Sequence, residues 1–292
     1  MKSYRKNTEA LRILSQVFSP PTFDKVVRDK DFVSFQRKIN KYSPSSQKDN
    51  LKTIKSLYKS LQEKYRCEYI YKNSLFLDIL KKYGYKDTLV INELKIGNSK
   101  ADMVFLNGSI RIYEIKTELD NLTKLSKQLN DYQKIADKVY VVTDENHFNK
   151  LISEYRDSNI GIISFNKQNQ LKVEKEAVEN SNLFDFESLF KLLRKQEYLN
   201  LTLANFGYIP DIPNTRIFKT CFSLLKNIDI LEFQKQVLDK LKERKLQNPE
   251  LLTSRKTPKE LKYLCNSLDF NKNEYEILYE FLSSPKSCIN HM

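Results

Sequence analysis

Four residues carry the strongest chemical signal in this chain: Glu93, Asp102, Glu114 and Lys116. Glu114-Ile115-Lys116 lies in IRIYEIKT (110–117), a run rich in β-branched and aromatic residues that reads as a strand. Side chains alternate along a strand, so Glu114 and Lys116 share a face. Burying an acid and an amine two apart in an apolar strand is costly unless each has a partner or a chemical role. Taken alone, a Glu-x-Lys pair also fits an exposed strand face or an inter-strand salt bridge. The neighbours narrow the reading. Asp102 opens the preceding run, ADMVFL (101–106), and Glu93 lies at the end of the run before it, TLVINEL (88–94). A salt-bridge cluster explains Glu114 with Lys116 but gives Glu93 and Asp102 no reason to join them. Neighbouring carboxylates repel each other. A divalent cation removes that penalty, and Mg²⁺ takes one or two carboxylates together with waters and phosphate oxygens. The lysine can then orient or help deprotonate an attacking water and stabilise charge developing on a phosphate.

This chemistry sets a condition on the elements that position it. Asn107-Gly108 between the last two runs signals a hairpin. For Asp102 and Glu114 to share a face, the hairpin must pair residues whose numbers sum to an even value. A two-residue loop would pair 106 with 109, an odd sum, and put the two acids on opposite faces. A three-residue loop or a bulge is required, and a glycine in the left-handed region suits either.

Around this hairpin the pattern reads α-β-β-β-α-β-α-β. A helix over 68–83, ending at Gly84, precedes the three strands. A helix over 122–136 follows them, with Leu122, Leu125, Leu129 and Tyr132 in one stripe. Then come the continuous apolar strand KVYVVT (138–143), a helix over 146–156, the strand IGIISF (160–165) and an edge strand over 170–174. Helical spacing marks 8–18, 31–41 and 50–64, with breaks at Pro20-Pro21 and around Pro44. It returns after about residue 181, over 184–198, 216–226, 230–245, 258–268 and 274–282, punctuated by Asp211-Ile212-Pro213 and Asn248-Pro249. The expected fold class is α/β, a mixed sheet core flanked by helices, with helical N- and C-terminal extensions. The expected division is a basic helical region (1–66), the core (67–175) and a helical region (176–292).

Composition excludes several alternatives. The 292 residues include 17 Phe and 17 Tyr, enough for a packed core, and only 5 Gly, with no P-loop and no GxGxxG. Cys67, Cys221, Cys265 and Cys288 form no CxxC pair and none lies near His147 or His291, which argues against a zinc site and a disulfide framework. No apolar run is long enough to span a bilayer and the opening MKSYRKNTEA lacks a signal-peptide core, so no membrane partner and a cytoplasmic location are expected. The net charge of +13 is uneven. Residues 1–66 hold 16 basic and 6 acidic residues, 67–166 hold 14 of each, and 167–292 hold 20 and 17. Concentrated basic charge suits a polyanion such as nucleic acid, since neutralising phosphates releases counterions. An ordinary lysine-rich surface is the plainer alternative.

The stretch NELKIGNSKADMVFLNGSIRIYEIKTELDNLTKLSKQLNDYQKIADKVYVVT resembles the PD-(D/E)xK nuclease superfamily, and more closely its sce7726 family of bacterial and prophage proteins. The residues that carry the resemblance are Glu93, Ala101-Asp102, Glu114-Ile115-Lys116-Thr117, Asp120, Leu122, Leu125, Gln128, Tyr132 and the strand from Asp137 to Val142, with EYIYKN (68–73) similar to the lead-in helix. It covers residues 68–166, about a third of the chain. One departure is that Ala101 stands where the superfamily has proline. The resemblance implies a restriction-endonuclease-like core with Asp102 and Glu114 as metal ligands, the Ile115 carbonyl as a third, Lys116 as the catalytic lysine and Glu93 as an accessory acid and ligand. It implies that the following helix offers Gln128, and also Lys124, toward the site. A solvated helix position is the other reading of Gln128. Glu68 is either an acid that some members carry on the first core helix or the i,i+4 partner of Lys72. The implied activity is a Mg²⁺-dependent nuclease, with Mn²⁺ able to substitute, acting as an endonuclease on DNA in phage defence or a mobile element. A second copy of the chain or a defence-complex protein is compatible as partner. The alternative is a nuclease-fold module that binds nucleic acid or scaffolds a complex without cleaving.

Overall fold

The computed structural model describes residues 2–42 and 49–285; Pro44, Cys288 and His291 lie outside them. Six strands form one sheet in the order β1-β2-β3-β4-β5-β6: β1 (Leu89–Ile96), β2 (Ser99–Leu106), β3 (Ile110–Lys116), β4 (Lys138–Thr143), β5 (Gly161–Phe165) and β6 (Leu171–Lys175). β1, β2 and β3 run antiparallel, whereas β3, β4 and β5 run parallel. The switch follows from the connections. Short turns join the first three strands, and a parallel pair needs a crossover. The helices Leu125–Gln133 and Glu145–Glu154 supply the two crossovers. Strands between crossovers are covered on both faces, which is why β4 is buried from Val139 to Thr143 and reads as an unbroken apolar run. The expected α/β architecture, a mixed sheet flanked by helices, is the one found.

The hairpin meets its register condition. Leu106 pairs with Ile110 and Met103 with Tyr113, so the loop is the three residues Asn107-Gly108-Ser109. Gly108 has φ +66°, the left-handed backbone that a side chain resists. Continuing the register puts Asp102 opposite Glu114, on one face.

The chain divides into two compact units. One comprises Asp87–Ser164 with Lys172–Lys245 and holds most of the sheet. The other comprises the described parts of Met1–Lys86 and Leu246–Met292, with Phe165–Leu171. This grouping differs from a linear division at residues 66 and 175. The reason lies in aromatic packing. Phe281, on the helix Lys272–Ser283, sits with ring centroids 4.9 Å from Phe35 and 6.4 Å from Phe23, and Asn50 Nδ2 donates to its carbonyl at 2.9 Å. The last helices therefore complete the core of the first ones.

Two sequence breaks prove to be helix starts, and one expected helix is split. Pro20-Pro21 opens the helix Pro20–Val27 rather than interrupting one, because proline in the first turn has no N–H that the helix would use. Asn248-Pro249 likewise opens Pro249–Thr253. The expected helix over 184–198 is two, Phe186–Phe190 and Lys195–Phe206. Arg244 clamps the turn between them, with Nη2 donating to the Leu192 carbonyl at 2.8 Å and the guanidinium paired with Glu197. Among the described residues no helix is long and apolar enough to cross a membrane.

Candidate functional site

The site grows from the end of β3. Glu114 and Lys116 point to one face and are buried, at 1% and 9% exposure. After Lys116 the chain turns sharply: Thr117 donates both its backbone N–H and its hydroxyl to Asp120 Oδ2 at 2.7 Å. Asn121 then caps the short turn Leu122–Lys124 by accepting from the Thr123 N–H. This returns the helix Leu125–Gln133 over the sheet face that bears Glu114. Leu125, Leu129 and Tyr132 are buried beneath it, and Gln128 lies one turn before Tyr132.

The result is a closed polar network. Glu114 Oε1 accepts from Lys116 Nζ at 2.7 Å and from Gln128 Nε2 at 2.5 Å. Lys116 Nζ also donates to Gln128 Oε1 at 3.1 Å. The Tyr132 hydroxyl lies 2.8 Å from Glu114 Oε2 and 2.9 Å from the Lys100 carbonyl oxygen, so its single proton serves acceptors on both sides. Burial, and then the adjacent Glu114 charge, raise the Tyr132 phenol far above its ordinary value, so it remains a donor. Of roughly four acceptor positions on a carboxylate, three on Glu114 are filled. One of the three N–H bonds of Lys116 is not accounted for by these contacts.

Asp102 reaches the network through the backbone. Its Oδ2 accepts from the Ile115 N–H at 2.8 Å, which fixes the acid beside the Glu-x-Lys strand. Across β2 stands Glu93, flanked by the pairs Asn92↔Met103 and Leu94↔Ala101. Glu93 has φ +58°, a left-handed conformation inside a strand that costs a non-glycine residue on the order of 1–3 kcal/mol. It is ion-paired with Lys100, and a carboxylate oxygen of Glu93 lies within 4.8 Å of one of Asp102. On the other side of β3, Thr143 sits in register with Lys116, and its hydroxyl is buried with no hydrogen-bond partner among the described residues. Such orphaned groups are uncommon.

The structure thus joins Glu114, Lys116 and Gln128 directly, ties Asp102 to Ile115, and brings Glu93 to Asp102. Lys124 is exposed to solvent. Glu68 forms its ion pair with Lys72. The donor set suits a hard cation in part. Glu93 and Asp102 offer carboxylate oxygens close together, while Glu114 has one acceptor position left. The apolar stripe accounts for the Tyr132 ring but not for its hydroxyl contact with Glu114, which sequence reasoning missed. The i,i+4 spacing from Gln128 was the available signal.

A family model described as bacteriophage P4 protein cII matches residues 61–265. Protein cII of Enterobacteria phage P4 is 31% identical over 93 residues, 31% of this chain and 35% of that one. The chain therefore spans about a third of the length of the curated relative it matches. No solved structure matches.

Proposed function

We propose that this chain, which belongs to the bacteriophage P4 protein cII family, is a metal-dependent nuclease hydrolysing phosphodiester bonds of DNA, most simply as an endonuclease. The observation that carries this reading is the join of Glu114, Lys116 and Gln128 into one buried network, with Asp102 held beside it by the Ile115 N–H. The likeness of these residues to the PD-(D/E)xK and sce7726 pattern supports it, and the phage relative supports a setting in a mobile element or phage defence. With this reading go a cytoplasmic location and a DNA partner.

The division of labour follows from the contacts. Gln128 and Glu114 hold the Lys116 ammonium in place, so its remaining N–H can meet an attacking water or a phosphate oxygen without reorganisation. Tyr132 fixes the second oxygen of Glu114 from behind. Asp102 and Glu93, with Glu114 and the Ile115 carbonyl, are the groups that would hold a Mg²⁺ ion, for which Mn²⁺ can substitute. When bound, that ion would relieve repulsion among the acids and draw negative charge off the phosphate. The basic excess of residues 1–66 supports a role in gripping the nucleic-acid backbone.

A second reading rests on the same carboxylate. Three donors on Glu114 also suit a purely structural buttress, in a module that binds nucleic acid or scaffolds a complex without cutting. Incubation with plasmid, linear and single-stranded DNA and with RNA, with Mg²⁺ or with a chelator, separates the two. Cleavage should require the metal and vanish in Asp102→Ala and Lys116→Ala. Binding without cleavage in every metal condition would establish the second reading. Cleavage that survives both substitutions would sink the first.

A further inference from the structure

We infer that the helix Phe32–Tyr42 is a recognition helix that reads base edges in the major groove of duplex DNA, with Val33, Arg37 and Asn40 as its readers. This extends the proposed DNA partner from backbone contact to base readout and does not rest on cleavage.

The helix is the second of a tightly joined pair. Pro20–Val27 is followed by a turn over residues 28–31 and then by Phe32–Tyr42. Within the turn Lys30 has φ +54°, a left-handed backbone that reverses the chain sharply. The Asp29 and Asp31 N–H groups both donate to the Lys25 carbonyl, at 3.1 and 3.0 Å. Asp31 Oδ1 accepts from the Ser34 N–H at 3.0 Å and so caps the second helix. Phe23 and Phe35 lock the two helices edge to face, with ring centroids 5.9 Å apart. Two short helices on so tight a turn share the connection of helix-turn-helix units, whose second helix enters the major groove.

The outer face of the second helix is the part left for a partner. Phe35, Gln36 and Ile39 are buried, and Gln36 is tied to Asn50. Val33, Arg37 and Asn40 are exposed, and their spacing puts them in one stripe. The Arg37 and Asn40 side chains make no hydrogen bond or ion pair among the described residues. The helix, FVSFQRKINKY, carries basic residues and no acidic one. Lys25 and Lys38 line the open cleft between the two helices, together with Ser34. The nearby Asp31 is already engaged: the Ser34 N–H above all, with the Lys25 and Arg37 charges adding, holds its carboxyl below the usual range. The face thus complements a polyanion.

The side-chain types select base edges rather than phosphate alone. Arginine donates two hydrogen bonds to guanine O6 and N7, asparagine pairs with adenine N6 and N7, and an apolar side chain meets the thymine methyl. All three patterns lie in the major groove of B-form DNA, which is wide enough for an α-helix. From Val33 to Asn40 the helix rises about 10 Å, which matches about three base pairs. Duplex RNA has a major groove too narrow and deep for such a helix to read.

The test is selection of duplexes by the full chain from a pool of randomised double-stranded DNA, in chelator so that metal-dependent cleavage plays no part. A short motif containing guanine and adenine should be enriched. Arg37→Gln should weaken binding to the enriched duplex by about tenfold and flatten the preference at a guanine position. Asn40→Ala should do the same at an adenine position. Both variants should lose less affinity for a scrambled duplex. The two positions are exposed, and circular dichroism checks that each variant folds. A pool with no enriched motif, a motif bound equally well by both variants, or tighter binding to the single strand or to RNA of the same sequence would overturn the inference. Selection of a motif by a protein that cleaves nothing with Mg²⁺ would sink the nuclease reading and leave this one standing. Cleavage without any selected motif would do the reverse.

Discussion

Glu114 and Glu260 are buried to a similar degree, 1% and 6% exposed, but their surroundings differ. Glu114 accepts hydrogen bonds from Lys116, Gln128 and Tyr132. Glu260 Oε2 has no donor among the described residues. Burial of a carboxylate is thus an incomplete signal, and the donor complement decides its meaning. A carboxylate with its donors in place is preorganised: its charge is neutralised, its rotamer is fixed and it can hold another group still. A carboxylate oxygen buried without a donor carries a desolvation cost that nothing offsets.

The comparison can be broken most forcefully at Lys116. Lys116→Met removes the counter-charge and leaves Glu114 closer to the condition of Glu260. If the nuclease reading holds, cleavage should fall by at least about a hundredfold. Stability should fall by about 3–5 kcal/mol, the usual cost of orphaning one member of a buried ion pair, as measured by urea unfolding. A stability unchanged by this substitution would show that the network contributes nothing to folding.

A paired substitution sharpens the contrast. Glu114→Gln deprives Lys116 of its partner and should destabilise by about 2–3 kcal/mol. Glu260→Gln replaces a carboxylate that has one unpartnered oxygen with a neutral amide and should stabilise by about 1 kcal/mol. Urea midpoints moving in the same direction for both would erase the distinction between the two acids.

Tyr132→Phe removes one donor from Glu114 without altering charge, at a cost of about 1.5–2 kcal/mol near neutral pH. Its pH dependence has a definite sign. The folded-state pKa of Tyr132 is raised above the unfolded value near 10. The folded protein therefore holds a proton that the unfolded chain releases. That contribution is fully present below about pH 10 and is lost as pH rises beyond it. Between about pH 8 and about pH 11 the parent should lose more stability than Tyr132→Phe. Parallel curves would place the Tyr132 ionisation elsewhere.

The smallest effect concerns backbone rather than charge. Glu93→Gly should gain about 1 kcal/mol by relieving the left-handed strain at φ +58°, while lowering cleavage if Glu93 serves the site. A gain in melting temperature with full cleavage would assign the strain no functional part.

Much of the site was legible in the residues themselves. Strand alternation put Glu114 and Lys116 on one face, and helical spacing put Gln128 and Tyr132 on another that could meet it. The Asn107-Gly108 signal identified the hairpin and left a single geometric condition, which the three-residue loop meets. The left-handed Glu93 was not legible, because nothing in TLVINEL marks a backbone distortion. Pro20-Pro21 reads as a break in sequence yet begins a helix, because proline disrupts a helix it interrupts but starts one it opens.

The sequence by itself determined which side chains share a face, most of the helical and extended segments, and where the basic charge is concentrated, since backbone periodicity acts over a few residues. Only the tertiary structure decided which acids have donors. Glu114 finds Tyr132 eighteen positions away, and the Tyr69 hydroxyl finds the Glu260 carbonyl 191 positions away. Donor complements of this kind depend on long-range packing, and no local pattern encodes them.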